Sequence, residues 1–366
     1  MTARLVFENI KHQPMRSLLS ALLIGVPVTL ILTLVGLSHG MLEDAAQRTR
    51  GIGADIIVRP KNSTLVSMRN GIPEAFVNYF ARKPHVKASV GALMQPVEGI
   101  TLMMTGVDFP KYDALAGGFR YARGGPPRQP DGILIDEYFA RQKDASVGGR
   151  IKILNRWWRV SGIIRNGQMA HMVVDLKVLQ DLLSASGDVN SIFLKLDDPA
   201  NTAAVVRELK DDPKLEDWPI YSTEEMASMW NESNMPGLSA FIYVVMGIGV
   251  VIGFFVVCLS MYMAVLQRTR EIGILKSLGA SRSFILRIVL AEAFLLGVAG
   301  TAVGIVLSFG ANYLIGVLVP ASIQMKIVPE WWPIAGGITM IGAILGAMYP
   351  GMNAAAADPI EALAYE

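Results

Sequence analysis

The chain has 366 residues, of which 52% are hydrophobic and 17% are charged, and its formal net charge is +2. This net charge is uninformative about nucleic acid, but the sequence has no basic stripe with interleaved aromatic residues, and we expect no nucleic-acid partner. The single cysteine, Cys258, excludes an intramolecular disulfide and a cysteine-based zinc site. The four histidines include no HExxH motif and no close pair, so we predict no metal site.

The N-terminal residues 1–17 are basic at their end and have apolar residues at roughly helical spacing, which predicts an amphipathic segment on the inner membrane surface. Residues 18–37 carry no charge and are numerous enough to span a hydrocarbon core of about 30 Å. A cleaved signal peptide is the alternative interpretation. We favour a retained span because the apolar stretch is longer than a signal peptide requires and Ser38-His39-Gly40 is a poor cleavage site.

Charges return after residue 40, and short β-type runs alternate with helical ones up to residue 235. This pattern predicts a mixed α/β domain that is large enough for its own core and lies outside the cytoplasm. The expected elements include strands at 54–58, 100–107, 132–136 and 190–196, helices at 73–82, 137–142 and 202–211, a loop at 117–130, and a hairpin of 150–154 and 157–164 around Asn155-Arg156.

Three more apolar stretches follow. A polar helix at 222–234 is expected to continue into the second span as a stalk, unless Pro236-Gly237 forms a hinge between the two. The basic segment 263–293 between the second and third spans should lie in the cytoplasm, together with both termini. The predicted organisation is an amphipathic segment 1–17, spans 18–39, 236–266 (with the stalk), 284–319 and 332–350, an extracytoplasmic domain 40–235, a cytoplasmic helix 267–283, an external loop 320–331 and a cytoplasmic tail 351–366.

Small residues recur at four-residue steps in the third and fourth spans, a spacing that lets helix backbones approach closely. The third span has two such rows, Gly300, Gly304 and Ser308 and also Ala293, Gly297 and Thr301, and the fourth span has Gly342 and Gly346. We interpret them as helix packing, in a dimer or within one bundle, although glycine is also common in membrane helices. Glu292 is the one acidic residue near a span, and we expect an ion pair or helix contact for it rather than a proton site. So few intramembrane charges disfavour an ion channel or an internal route for a polar substrate.

The chain has no GxxxxGK[ST] phosphate loop and no GxSxG motif. His171 lies near Asp175, but we favour a surface strand residue over a catalytic pair, and we predict no catalytic residue. Energy for any driven process must then come from another chain.

Residues 267–281, QRTREIGILKSLGAS, resemble the R-x-R-E-I-G-I-L-[KR]-x-[LI]-G-A-[ST] segment of FtsX/MacB-type ABC transporter permeases. The similarity continues through residues 284–292 and into the C-terminal DPIEALAYE, where Ala364 stands in place of the usual arginine. The start of the first span and parts of 54–160 also resemble the family. The resemblance therefore covers essentially the whole chain, without the N-terminal ATPase that is fused in MacB.

The resemblance implies four membrane helices plus a MacB-like extracytoplasmic α/β core domain. It also implies a coupling helix near 269–278 that turns at Gly279-Ala280-Ser281 and contacts an ATPase subunit, whereas the sequence alone would equally allow a loop resting on lipid headgroups. The candidate coupling residues are Arg268, Arg270, Glu271, Ile272, Gly273, Ile274, Leu275, Lys276, Leu278, Gly279, Ala280 and Ser281. In this interpretation Arg268, Arg270 and Lys276 meet polar groups of the partner, while Ile272, Ile274, Leu275 and Leu278 fill an apolar groove.

We expect a non-enzymatic permease subunit of the bacterial inner membrane that transmits ATP-driven motion to its outer domain, with ATP and Mg²⁺ bound by the partner. The expected partners are two ABC ATPase subunits, a second copy or a homologous permease, the bilayer, and a membrane-fusion adaptor. Export is the favoured outcome. Extraction of a lipid or lipoprotein from the outer leaflet and FtsX-like regulation of a cell-wall hydrolase are the alternatives, and an enzyme in the outer domain is least favoured.

Overall fold

The computed structural model describes residues 14–63, 71–98, 102–318 and 325–356. They divide into two compact units. The membrane unit comprises the described residues up to His39, Met235–Leu318, and those from Met325 onward, and the outer unit comprises the described part of Gly40–Asn234. The predicted segment 1–17, the loop 320–331 and the tail 351–366 lie wholly or partly outside the described residues, and they stay predictions.

In chain order, the helices and strands are α1 (Pro14–Arg50), β1 (Ile56–Val58), β2 (Ile72–Pro73), α2 (Ala75–Ala81), β3 (Val86–Glu98), β4 (Leu102–Val107), α3 (Phe109–Ala116), β5 (Tyr121–Gly124), β6 (Gly132–Asp136), α4 (Glu137–Gln142), β7 (Arg150–Ile153), β8 (Arg156–Ile164), β9 (Met172–Asp175), α5 (Leu176–Leu182), β10 (Asp188–Val189), β11 (Ser191–Leu196), α6 (Thr202–Lys210), β12 (Ile220–Ser222), α7 (Thr223–Ser228), α8 (Pro236–Gln267), α9 (Thr269–Ser277), α10 (Arg282–Leu318) and α11 (Trp331–Ala356).

Four helices in the described part of the chain, α1, α8, α10 and α11, are long and apolar enough to cross a membrane. They correspond to the four predicted spans. Pro27 lies inside α1, where a membrane helix tolerates it because neighbouring helices can satisfy the freed backbone groups. The four spans and the α/β outer unit together match the expected fold class.

The packing glycines lie where helix backbones meet within the membrane unit. A methyl group on Gly300 would lie 2.5 Å from Ile24 Cγ2, and one on Gly304 would lie 2.5 Å from Val28 Cβ, so both glycines contact α1. On α11, a methyl group on Gly346 would lie 2.6 Å from the carbonyl oxygen of Phe254 in α8. These contacts are closer than any real side chain allows, so the glycines permit the approach of the helices.

The other two packing glycines make looser contacts of the same kind. A methyl group on Gly297 would lie 3.2 Å from Met340 Sδ of α11, and one on Gly342 would lie 3.6 Å from the carbonyl oxygen of Val250 in α8. All five glycines therefore pack helices within one copy of the chain.

The predicted stalk on the second span is absent from the structure. The polar helix α7 ends at Ser228, and Asn231 Oδ1 then accepts hydrogen bonds from Asn234 N at 2.9 Å and Ser233 Oγ at 2.6 Å. Such side-chain bonds to the local backbone compete with helix continuation. A new helix begins at Pro236, since proline is well suited to the first helical turn. The helix that continues beyond its predicted span is α1, which reaches Arg50.

The outer unit is built on a ten-stranded sheet of described residues in the order β12-β1-β11-β3-β4-β9-β6-β8-β5, with β7 paired to β8. Two strand pairs are parallel, β4 with β9 and β6 with β8. Strands β2 and β10 form a separate pair. Apolar side chains form two buried clusters, one containing Ile56, Phe80 and Trp158 and the other Ile57, Tyr112 and Phe193. Because Ile56 and Ile57 are adjacent in one strand, the clusters lie on opposite faces of the sheet.

Three strand expectations need correction. The predicted loop 117–130 contains β5, which pairs with β8, and the thirteen-residue β3 is absent from the sequence prediction. The hairpin turn lies at Leu154-Asn155, both with positive φ (49° and 58°), rather than at Asn155-Arg156. Turns of this kind match the twist of the flanking strands, and asparagine tolerates the left-handed conformation.

Buried ion pairs join the last turns of α1 to the sheet within the outer unit. Arg48 Nη2 donates to Asp136 Oδ2 at 2.7 Å, and Arg48 Nε donates to Asp44 Oδ2 at 2.7 Å. Asp136 also accepts from Phe139 N at 2.7 Å and thereby caps α4. His171 is 3% exposed, with Nε2 at 3.7 Å from Asp44 Oδ2. The prediction of a surface position for His171 is therefore wrong.

Candidate functional site: the short helix between the second and third spans

Helix α9 is a separate element between two long spans. The backbone leaves helical geometry at Arg268 (φ −116°, ψ 16°), so α8 ends there and α9 begins at Thr269. The break redirects a chain that would otherwise continue straight into a second long helix. The helix coincides with the segment 269–278 that the family resemblance implies, one residue shorter.

The end of α9 is a Schellman motif. Gly279 N donates to Lys276 O at 3.0 Å and Ala280 N donates to Leu275 O at 3.0 Å, which satisfies two free carbonyl groups. Gly279 has φ +93°, a conformation that glycine adopts without steric penalty. Ser281 Oγ then accepts from Phe284 N at 3.3 Å and begins α10. The turn at Gly279-Ala280-Ser281 is thus encoded locally.

One face of α9, which we call the inner face, contacts the membrane unit's own helices. Arg268 Nη1, just before α9, lies 3.2 Å from Glu292 Oε2, and Glu292 is 4% exposed. The expected ion pair of Glu292 is therefore present, with Arg268 as the partner. Removing the Glu292 carboxylate would take this partner from the Arg268 guanidinium, whose side chain is 14% exposed, and this loss is destabilising.

The remainder of the inner face is apolar apart from one lysine. Ile272, Leu275 and Ala280 pack against a buried cluster in which Ala355 of α11 takes part. Lys276 Nζ donates to Ala355 O at 3.0 Å, a favourable position for a cation because the last carbonyls of α11 carry partial negative charge. Gly273 is buried. These contacts hold α9 to the ends of α10 and α11.

The opposite, outer face of α9 is exposed and mixes charge with large apolar side chains. It comprises Arg270, Ile274, Ser277 and Leu278, and the exposed Glu271 lies at its boundary with the inner face. Ile274 is 45% exposed and Leu278 is 79% exposed, and their four-residue spacing places them side by side. Gly279 and Ser281 are exposed at the turn that follows. An apolar pair beside charged groups has the composition of a protein-binding surface.

The structure divides the predicted coupling residues between these two faces. Arg268 and Lys276 bond to their own chain, and Ile272 and Leu275 pack inside. Arg270, Ile274 and Leu278 remain on the outer face with Glu271. Helical periodicity identifies an amphipathic segment, but it carries no information on which face the distant residues Glu292 and Ala355 will cover.

A cavity of about 100 Å³ lies under α9, between its inner face and helices α8 and α10. Arg268, Glu271, Ile272 and Glu292 are among the residues that line it. The helix is therefore attached through Arg268 at its start and Lys276 near its end, without dense packing along its whole length.

The second candidate, His171, does not pair with Asp175. The Asp175 carboxylate accepts hydrogen bonds from the Lys177 and Val178 amides and caps α5. Burial, together with the neighbouring Arg48 guanidinium, lowers the pKa of His171 to about 3, so the imidazole is neutral at ordinary pH. The contacts of His171 with the Arg48 cluster give it a place in the core of the outer unit.

Two family descriptions match the chain. "MacB-like periplasmic core domain" matches residues 17–212, which is more than half of the chain, and "FtsX-like permease C-terminal" matches residues 243–359. The second match contains the whole of α9 and its inner-face contacts.

Three relatives carry similar sequences. The ABC transporter permease MJ1507 of Methanocaldococcus jannaschii is 24% identical over 98% of this chain and 96% of its own length. The ABC transporter permease YknZ of Bacillus subtilis is 30% identical over 60% of this chain and 55% of its own length. The macrolide export ATP-binding/permease protein MacB of Burkholderia cenocepacia is 27% identical over 99% of this chain, which spans 57% of that protein.

Proposed function

This chain belongs to the MacB/FtsX family of ABC transporter permeases, and on that premise we propose that the outer face of α9 is the docking surface for a separate ABC ATPase. The family places the chain in the inner membrane with a periplasmic domain and implies an ABC ATPase as partner. ATP and Mg²⁺ bind to that partner, and both termini of this chain lie beside it in the cytoplasm.

The exposed pair of Ile274 and Leu278 is the observation that supports docking. These two large apolar side chains lie on a short helix between two spans and are exposed. A partner that covers them removes apolar surface from water, which favours binding. Arg270 and Glu271 beside them supply charge complementarity, which selects and orients the partner. Since Arg268 and Lys276 attach α9 to helices of the membrane unit, a push on its outer face is passed to those helices.

The motion serves export, with two copies of the chain, or one copy and a homologue, above two ATPase subunits. Closure of the ATPases moves the spans, and the outer domain acts on an adaptor protein. The name of MacB, which concerns macrolide export, supports this choice over lipoprotein or lipid extraction and over hydrolase regulation. MacB is matched over 57% of its length, so its substrate is not carried over.

Docking is tested by the double variant Ile274→Ser/Leu278→Ser in the full chain co-expressed with its ABC ATPase. Loss of two buried apolar contacts should weaken ATPase binding by about 2 kcal/mol, or roughly thirtyfold. Val147→Ser is the control, because Val147 is an exposed apolar residue (41%) of the outer unit, at a distance along the chain from α9, and should leave binding unchanged. Equal ATPase binding by the double variant and the control would refute the docking surface.

Transmission is tested separately by Gly279→Pro. Proline cannot adopt φ +93° and has no amide hydrogen for Lys276 O, so the turn after α9 must rearrange. We expect the partner to continue hydrolysing ATP, but either transport or the stimulation of hydrolysis by the permease should be lost. Full coupling in this variant would contradict a role for the turn.

The export assignment is tested by the proteins that co-purify with the cross-linked complex. A membrane-fusion adaptor supports export. Recovery of a peptidoglycan hydrolase, or of lipoprotein bound to the outer domain, would replace export by regulation or extraction while leaving the ATPase docking surface intact.

A further inference from the structure

The hairpin of β7 and β8 in the outer unit carries three cations and a tryptophan on one face. In the register of the two strands, Arg150 lies opposite Arg159 and Lys152 lies opposite Trp157. Directly opposed residues of paired strands point to the same side of the sheet. All four side chains are exposed, and Trp157 is 60% exposed. We call these four residues the hairpin face.

The opposite side of the same hairpin belongs to the core of the outer unit. Ile153 and Trp158 are buried in one of the two apolar clusters, and Ile151 packs against it. Arg156, also on this side, has its guanidinium carbon 4.8 Å from the centre of the Trp158 ring. These contacts hold the hairpin in place without any contribution from the exposed cations.

The cations of the hairpin face have no counter-ion among the residues that the structure describes. No described carboxylate forms an ion pair with Arg150, Lys152 or Arg159. The backbone oxygen of Asp131 accepts from the Arg159 amide at 2.7 Å, but the side chain of Asp131 does not pair with the guanidinium group. Like charges directly opposite each other on paired strands are destabilising. A carboxylate bound beside Arg150 would offset this repulsion.

Strand β7 has a free edge beside the hairpin face. Within the described part of the chain, β7 pairs with β8 and with no second strand. Backbone groups on such an edge can pair with an added strand from another chain. Because a strand rises about 3.3 Å per residue, Arg150 and Lys152 lie about 7 Å apart on one side. Acidic side chains at every second position of an added strand would have the same spacing and the same side.

Charged side chains on an edge strand also prevent free edges from pairing with each other. That protective role does not account for Trp157 and Arg159, because both lie on β8, which is paired on either side. Exposed tryptophan and arginine are the residues that protein-binding surfaces enrich. The composition of the hairpin face therefore favours a bound partner.

We propose that the hairpin face binds an acidic, extended polypeptide segment, which adds as a strand to the free edge of β7. Carboxylates at alternate positions of the segment pair with Arg150 and Lys152, and its longer side chains lie against Trp157. The sequence requirement on the partner is thus alternation of acidic residues along a strand. The site lies in the outer unit, and the proposal stands or falls separately from ATPase docking on α9 and from the export assignment.

The test uses full-length protein in zwitterionic nanodiscs and a short fluorescein-labelled peptide in which glutamate alternates with valine. Fluorescence anisotropy should show saturable binding to the wild type. Arg150→Glu/Lys152→Glu should weaken binding about tenfold or more, or about 1.4 kcal/mol, because attraction to the carboxylates becomes repulsion. Lys177→Glu/Arg207→Glu is the matched control, since it makes the same charge change at exposed cations of α5 and α6 and should leave binding unchanged.

Backbone methylation of the peptide separates strand addition from simple charge attraction. Alternate residues of a strand direct their amides to opposite edges, so an added strand uses the amides of one set only. Of two peptides, one N-methylated at the glutamates and the other at the valines, one should lose binding and the other should keep it.

A complementary peptide shows whether the charge-reversed hairpin is still folded. The peptide in which lysine replaces glutamate should bind Arg150→Glu/Lys152→Glu but not the wild type. Trp157→Ala should weaken binding of the glutamate peptide about fivefold, because an exposed aromatic contact is lost.

Several results would overturn the proposal. If the wild type does not bind the glutamate peptide, or if the charge-reversed variant and its control bind it equally, the hairpin face is not the site. Loss of binding in both N-methylated peptides, or in neither, would exclude an added strand. Equally tight binding of inorganic polyphosphate would mean a general polyanion surface, and displacement of the peptide by phosphatidylglycerol vesicles would mean a lipid surface.

Discussion

Arg48 and Arg59 are both buried in the outer unit, at 6% and 3% exposure, but their surroundings are opposite. Two carboxylates lie 2.7 Å from Arg48, and one of them, Asp136, also caps a helix. Arg59 has no such partner among the described residues and faces an apolar cavity. The first arginine joins α1 to the sheet, whereas Nε and Nη2 of the second are buried without a hydrogen-bond acceptor among the described residues.

This difference shows that burial alone does not define the role of a charge. A buried ion pair often contributes little net stability compared with an apolar replacement, but removal of one partner is strongly unfavourable. Removing the carboxylate of Asp136 should therefore destabilise the fold, whereas removing the charge of Arg59 itself should not.

The largest expected effect is that of Asp136→Ala. This change leaves the Arg48 charge short of one partner and removes the cap of α4, so the free energy of unfolding should fall by about 3–5 kcal/mol. In full-length protein in detergent, the apparent unfolding temperature should drop by on the order of 10 °C. Asp181→Ala removes the same charge from an exposed position on α5 and should have little effect. A drop similar to that of the control would show that the Arg48 cluster is not a structural link.

The second-largest expected effect is a loss of folding stability in acid, caused by His171 beside Arg48 and Asp44. The folded imidazole stays neutral to a pH of about 3, whereas an unfolded histidine accepts a proton below a pH of about 6.5. Acid therefore favours the unfolded state, and stability is lost as the pH falls below about 6.5. At pH 5 the loss from this residue is about 2 kcal/mol.

His171→Gln should reduce the acid sensitivity measured by urea unfolding at pH 7 and pH 5, and His85→Gln, at an exposed histidine, should retain it. An unchanged acid loss in His171→Gln would contradict the prediction.

The smallest effect is expected from an exposed ion pair close to the cluster. Arg50 Nε lies 3.1 Å from Glu224 Oε2, but the two side chains are 46% and 74% exposed. Solvent and salt screen such pairs, so Glu224→Ala should change the free energy of unfolding by less than about 0.5 kcal/mol. A thermal shift as large as that of Asp136→Ala would mean that exposure does not distinguish the two pairs.

Features encoded by neighbouring residues are predictable from the sequence. The boundary between β6 and α4 lies at Asp136 as expected, because an acidic cap follows an apolar strand. The helix α9 ends before Gly279 as expected, because a Schellman motif needs only a glycine and the preceding turn. Strand β3 escapes prediction because it contains Gly91 and Pro96 and depends on pairing with β11 and β4. Strand β5 escapes prediction because its pairing with β8 spans about forty residues of chain.

The candidate site is predictable in position but not in orientation. Sequence similarity locates α9, and its 3.6-residue period indicates two faces. Which face is free depends on Glu292, 24 residues beyond Arg268, and on Ala355, 79 residues beyond Lys276. From the sequence, Arg268 and Lys276 are expected to contact the partner ATPase. In the structure they bond to Glu292 and to the carbonyl oxygen of Ala355 in the same chain.

Sequence patterns alone are enough to predict the four spans, the α/β character of the outer domain and the place of the helix between the second and third spans. The spans and the α/β pattern follow from hydropathy and periodicity along neighbouring residues, whereas the helix is located by the resemblance of residues 267–281 to the family's segment. The pairing of Arg48, the cavity beside Arg59 and the exposure of Ile274 and Leu278 become evident only in the folded chain. The physical reason is that a side chain's partner is set by distances in space, and these depend on chain segments far apart in sequence.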